Sequence, residues 1–154
     1  MELTIEQDLQ QGVTAHNSGN LQEAERIYQA ILRSHPKHPD VNHNLGLIAI
    51  SVNQIEAALS LFKTALDVNP MIEQFWVSYI DALVKANQLK DAKQAVKKAK
   101  KKGFDAKKLE ALLSLSKVTI VTKEPSQQQL SRLIESCVVG PKVRTILSSN
   151  ANQF

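Results

Sequence analysis

The sequence predicts an all-α solenoid of about three helix-turn-helix repeats followed by C-terminal capping helices. Three observations predict it: the chain coincides with itself at a shift of 34 residues, its composition favours helix, and Gly or Asn breaks separate apolar stretches of helical spacing. At that shift Gly12 falls on Gly46, Ala24 on Ala58, Tyr28 on Phe62 and Pro36 on Pro70. A second step carries Ala58 to Ala92, Ala65 to Ala99 and Asn53 to Asn87. Ala, Leu, Gln, Lys and Glu are plentiful, while five Gly and five Pro punctuate 154 residues.

Each unit reads as two helices. Val41, Leu45, Ile48 and Val52 mark the first helix of unit two, and Trp76, Ile80, Leu83 and Val84 that of unit three. Short breaks follow at Gly19-Asn20, Asn53-Gln54 and Asn87-Gln88, residues that tolerate the left-handed conformation ending a helix. Asn20 with Glu23 three residues on has the pattern of a capping box. The second helices carry Leu21, Ala24, Ile27, Tyr28 and Ile31 in unit one, and Ile55, Ala58, Leu59, Phe62, Ala65 and Leu66 in unit two. Pro36 and Pro70 close the units, since proline cannot continue a helix. Small residues at 12, 24, 46 and 58 let paired helices approach closely, with Tyr28 and Phe62 expected to fill the space between one unit and the next. No unit buries its apolar face alone, so neighbours must stack.

These residues carry a specific resemblance. The chain is similar to the tetratricopeptide repeat proteins, with Gly46, Ala58, Phe62, Ala65 and Pro70 matching the family pattern in unit two, and Gly12, Ala24, Tyr28 and Pro36 in unit one. Unit three matches at Trp76, Ala92 and Ala99 but has Ile80 for the small residue and Phe104 for the closing proline, while Asn42 occupies a slot where the repeat prefers a large aromatic. The resemblance covers about residues 5–106 and implies a right-handed superhelix that binds a protein or peptide partner. It further implies that the first helices line a concave groove. The groove slots hold Val13, His16 and Asn17 from unit one, His43, Asn44, Leu47, Ile50 and Ser51 from unit two, and Val77, Ser78, Asp81, Val84 and Lys85 from unit three. Asn44 reads as an amide able to donate to and accept from a peptide backbone. Co-chaperones of this family grip a C-terminal carboxylate with basic groove residues, but the matching slots here hold Leu9, Val13, Gln74 and Ser78, with only Asn44 fitting.

Downstream, Asp105 is placed to cap a seventh helix from Ala106 to about Ser116, with Leu109, Leu112 and Leu113 as its apolar stripe, so the array with its cap spans 1–116. Val118-Thr119-Ile120-Val121 reads as extended and Pro125 excludes helix just before it, which makes 117–125 a linker. Residues 126–154 read as the first helix of a further, partial repeat and a polar tail. Cys137 lies on that helix's apolar stripe, and self-association through it is left open. Arrays of this kind precede glycosyltransferase or sulfotransferase domains in some bacterial proteins, so the chain reads either as an adaptor or as the docking arm of a transferase.

Charge is unevenly distributed. Residues 1–84 hold four Lys/Arg against ten Asp/Glu, and residues 85–108 hold ten Lys against two Asp, within a total of +4. The cluster at Lys90, Lys93, Lys97, Lys98, Lys100, Lys101, Lys102, Lys107 and Lys108 has no Arg and only Phe104 beside it, so it reads as a solvated helix face rather than a nucleic-acid site. His35 and His38 share an inter-unit loop without a third metal ligand. No catalytic constellation, cofactor motif, membrane span or secretory signal is present, one cysteine excludes an internal disulfide, and cytoplasm is the default address. Limited proteolysis is expected to cut within 117–125 or in the polar tail before it cuts the repeats; resistance of 117–125 would count against the linker.

Overall fold

The computed structural model describes residues 4–121. Seven helices follow one another: α1 Ile5–Asn17, α2 Leu21–Ser34, α3 Pro39–Ser51, α4 Ile55–Val68, α5 Glu73–Lys85, α6 Leu89–Lys101 and α7 Ala106–Val121. They pair as α1 with α2, α3 with α4 and α5 with α6, and the pairs stack through α2 on α3 and α4 on α5. Helix α3 also touches α5, so the first helices of units two and three lie side by side. Met1–Lys117 forms one compact unit, and the chain from Val118 onward belongs to a second. The readings of 126–154, including the partial repeat, Cys137 and self-association through that helix, lie outside the described residues.

Turns within the units repeat one geometry. Gly19, Asn53 and Asn87 stand 34 residues apart, and each has positive φ (80°, 60° and 59°). The amide after each donates back to a carbonyl five residues earlier: Asn20 to Ala15, Gln54 to Ala49 and Gln88 to Leu83. Together with the amides of residues 19, 53 and 87 on His16, Ile50 and Val84, this satisfies the last carbonyls of each first helix in a Schellman motif. Asn20 Oδ1 accepts from the Glu23 amide at 3.3 Å, but the expected reciprocal half of a capping box is not formed. The Glu23 carboxylate is taken by Arg26 at 2.6 Å instead. A complete box occurs one helix earlier, between Thr4 and Gln7.

Exits between units are built differently. Helices α2 and α4 end on His35 and Asn69 at φ −130° and −134°, each the residue before a proline and so excluded from the helical region. His38 Nδ1 then accepts from the Val41 amide, capping α3 ahead of Pro39. The third exit lacks the proline and repeats the within-unit device: Gly103 has φ 96° and Phe104 packs on the core.

The aromatic ring of each second helix lies over a glycine of its own first helix. A Cβ on Gly12 would stand 2.5 Å from Tyr28 Cε1, and one on Gly46 would stand 2.5 Å from Phe62 Cε1. The expectation that these rings fill the space between units is therefore corrected in its main part: they occupy the missing side-chain volume inside each unit. Unit three solves the same contact in reverse. Ile80 replaces the glycine and Val96 the aromatic, and both are buried. Ala24, Ala58 and Ala92 have no exposed surface, as close approach of the paired helices requires.

Asn42 at the aromatic slot finds the role of its period-mate. Trp76 Nε1 donates to the Pro70 carbonyl at 2.9 Å, and Asn42 Nδ2 donates to the Pro36 carbonyl at 3.0 Å and to His38 O at 2.9 Å. Asparagine keeps the hydrogen bond that locks the exit and gives up the apolar area.

Asp105 Oδ1 accepts from the Lys107 amide at 2.9 Å and starts α7. Leu109 is fully buried, and Leu112 and Leu113 pack on the same core. The reading of 118–121 as extended is overturned, because α7 continues to Val121. β-branched residues cost a helix only a few tenths of a kcal/mol each, roughly, and no Gly or Pro intervenes before Pro125.

Gly46→Ala should destabilise the array by about 1–3 kcal/mol, despite alanine's better helix propensity, because the buried Phe62 ring has nowhere to move. Gly46→Ile combined with Phe62→Val, the pair found in unit three, should recover most of the loss that Gly46→Ile causes alone. Additive losses in urea unfolding of the double variant would refute the ring-on-glycine account.

Candidate functional site

The groove slots lie on α1, α3 and α5, the first helices of the three units. Val13, Leu47, Ile50, Val77 and Val84 are half-buried there, with Leu47, Ile50, Val77 and Val84 resting on the core beneath. Asn17, Ser51 and Lys85 are exposed. Lys85 Nζ is paired with Asp81 at 2.6 Å, one turn back on α5, and Ser51 Oγ donates to the Ile48 carbonyl at 2.7 Å.

Two of the expected ligand-facing residues have another role. His43 and Ser78 are buried, and His43 Nε2 lies 2.9 Å from Ser78 Oγ, tying α3 to α5. The imidazole also sits against Phe62, with centroids 5.5 Å apart, and Phe75, at 4.8 Å. Neither residue offers a free polar atom to a ligand; they hold units two and three in register. Histidine at a groove slot was legible in the sequence, whereas the aromatic residue that would cover it from the next unit was not.

Asn44 is half-buried rather than open. Its amide lies by the Tyr28 hydroxyl, which is buried without a hydrogen bond of good geometry. Burial pushes the Tyr28 phenol up, and the Asn44 side chain partly offsets this. His16, from α1, meets the edge of the same tyrosine ring at 6.4 Å. Tyr28 thus links unit one's groove residue to unit two's, a connection that slot positions on the first helices do not reveal because Tyr28 is on a second helix. The remaining carboxylate-clamp slots stay uncharged, with Leu9 half-buried and Gln74 near Ser78.

A second recess lies on the side of the second helices, at the junction of units two and three. It measures about 660 Å³ and is bounded by α4, the start of α5 and α6, with Trp76 and Tyr79 among its lining residues. Among the described residues no three His, Cys, Asp or Glu side chains gather to hold a metal, and no helix is long and apolar enough to cross a membrane.

The geometry has close counterparts among solved structures, and the tetratricopeptide repeat family model matches residues 15–76. The fold is that of tetratricopeptide repeat solenoids. It is similar to the TPR domain of Sgt2 from Aspergillus fumigatus, at 22% identity and a TM-score of 0.63, covering 75% of this chain and 78% of that one. The first TPR domain of Spaghetti bound to an HSP90 peptide is similar at 15% identity and a TM-score of 0.64, covering 75% and 91%. The O-GlcNAc transferase of Thermobaculum terrenum is similar at 20% identity and a TM-score of 0.64, covering 75% of this chain but 23% of that one. No curated protein sequence matches the chain.

Burial holds the His43 imidazole below the usual histidine range, against smaller upward pulls from Asn44 and from the charge of Asp40. The unfolded chain therefore takes up this proton first. The array should be fully stabilised by neutral His43 above about pH 6.5 and lose that stability as pH falls below it, until the folded-state value is also passed. Thermal melts between pH 8 and 5 should show this slope, and His43→Gln should flatten it while lowering stability throughout. An unchanged slope in His43→Gln would assign the titration elsewhere.

Proposed function

We propose that the array is a protein-interaction module that binds an extended peptide or protein segment along its first helices. The observation that carries this reading is the row of half-buried apolar side chains at Val13, Leu47, Ile50, Val77 and Val84, with Asn17, Ser51 and the Asp81–Lys85 pair around it. Solenoids offer such concave rows to partners, and apolar slots between polar groups suit alternate side chains of a strand. The HSP90 peptide on Spaghetti supports the mode of binding. It does not supply the ligand, since Leu9, Val13, Gln74 and buried Ser78 provide no cation for a terminal carboxylate. The partner of this groove is accordingly an internal segment with apolar anchors. The module binds and has no catalytic role of its own.

The match to a transferase favours one further reading, a docking arm that presents substrates to a catalytic domain. Both readings use the same groove and differ in what lies on the polypeptide beyond it.

A random peptide library panned on the protein selects groove ligands directly, without the natural partner in hand. Leu47→Asp should abolish binding of groove ligands, because the carboxylate faces apolar side chains with no cation to pair it. Circular dichroism should remain nearly that of the parent. Peptides retained in full by a folded Leu47→Asp variant would exclude the groove as the binding face.

A further inference from the structure

The 660 Å³ recess between units two and three departs from the repeat in both size and charge. At three period-mates of its lining residues, Leu45, Ala57 and Leu61, the preceding junction has a recess of about 220 Å³. Ala95 stands where unit two has Leu61, a smaller side chain beside the half-buried Tyr79 and the largely buried Trp76. The rim changes with it. Lys63, Lys98, Lys101 and Lys102 border the cleft, whereas their period-mates are Gln29, Thr64, Asp67 and Val68. Asp67 and Asp91 also line it.

None of these four lysines lies in an ion pair among the described residues. Four cations around an aromatic floor, with further lysines along α6, set a positive field over apolar surface. Trp76 has already spent its N–H on the Pro70 carbonyl and is 6% exposed, so it borders the recess with a small apolar surface and Tyr79 supplies most of the floor. Burial raises the Tyr79 phenol, with Asp91 and Asp67 adding to the shift, so its hydroxyl stays a neutral donor. Residues 109–154 hold five Lys/Arg against three Asp/Glu, and like charge opposes the chain's own C-terminal segment as the occupant.

We propose that this cleft binds an acidic peptide segment of a partner protein, with one aromatic or aliphatic side chain seated on Trp76 and Tyr79 and flanking carboxylates on Lys63, Lys98, Lys101 and Lys102. A peptide also brings backbone N–H donors, which Asp67 and Asp91 accept. A nucleic-acid backbone has no such donors and meets two carboxylates inside the rim, with no arginine in the cleft to read a base. The site lies between α4 and α6 with Trp76 and Tyr79 of α5 beneath, and shares no residue with the groove slots, so it stands or falls independently of the function proposed above.

Trp76 is the chain's sole tryptophan and reports directly on the cleft. A random peptide library panned on the full chain should enrich sequences with Asp or Glu on both sides of an aromatic or aliphatic residue. A synthetic copy of the enriched peptide should change Trp76 emission saturably. Its affinity should fall at least about tenfold in Lys98→Glu with Lys101→Glu, and more at low salt than at high salt, while Leu47→Asp leaves it unchanged. If the reversal lowers the melting temperature, Gln94→Glu supplies a milder change at an exposed lining position. Four results would overturn the proposal: no acidic enrichment, enrichment untouched by the charge variants, an equal emission change with hexaglutamate or phosphatidylserine vesicles, and an emission change driven by protein concentration alone. The last, with dimers in sedimentation, would assign the cleft to a second copy.

Discussion

A phenyl ring resting on a helix backbone sets the dimensions of this array. Over Gly12 and Gly46 the rings of Tyr28 and Phe62 come closer to the facing helix than any Cβ would permit. That contact fixes how near the two helices of a unit lie, and the next requirements follow. Ala24 and Ala58 must be small because the helices cross there, and they are fully buried. The ring's other side then becomes a surface for the next layer. His43 stacks near both Phe62 and Phe75, so a contact internal to unit two helps define where unit three begins. In a solenoid, stability is approximately the sum of units and nearest-neighbour interfaces, and here one ring serves both.

Much of this was legible because a period is a global signal. Coincidences at Gly12 and Gly46, or at Pro36 and Pro70, constrain the fold more than any local propensity, and the positive φ at Gly19, Asn53 and Asn87 follows the same spacing. What the period did not disclose is compensation between positions. Ile80 looked like a defect until Val96 was seen to be the smaller partner, and Asn42 looked like a lost aromatic until its hydrogen bond to Pro36 matched that of Trp76. Each depends on a second residue that the one-period shift does not compare with the first. The reading of 118–121 failed for a local reason. Strand propensity in β-branched residues reflects packing on a sheet, and a helix already under way accepts them at small cost.

The groove slots show the limit of positional reasoning. A slot number gives the direction of a side chain from its helix, but neighbouring units decide whether that direction ends in solvent. His43 and Ser78 point towards one another across α3 and α5 and satisfy each other. A buried polar pair of this kind contributes little net stability, yet leaving either partner alone would cost about 1–3 kcal/mol. It therefore resists slippage of one unit against the next. The same pair takes two polar side chains out of the surface of α3 and α5, where Ser51 and Lys85 remain exposed.

The two sides of the stack differ in their surface chemistry. Along the first helices half-buried apolar side chains alternate with exposed polar ones, and Asp81 pairs with Lys85. Between α4 and α6, four lysines with no ion pair among the described residues border a recess lined by Trp76 and Tyr79, which sets a positive field there. Charge along α6 costs the fold little, because Ala92, Ala95, Val96 and Ala99 supply its buried stripe while the lysines occupy the remaining face. That division frees the outer positions of α6 from packing constraints. A repeat whose core is fixed by small residues can change its surface chemistry from one unit to the next, and unit three has done so without altering the stack that carries it.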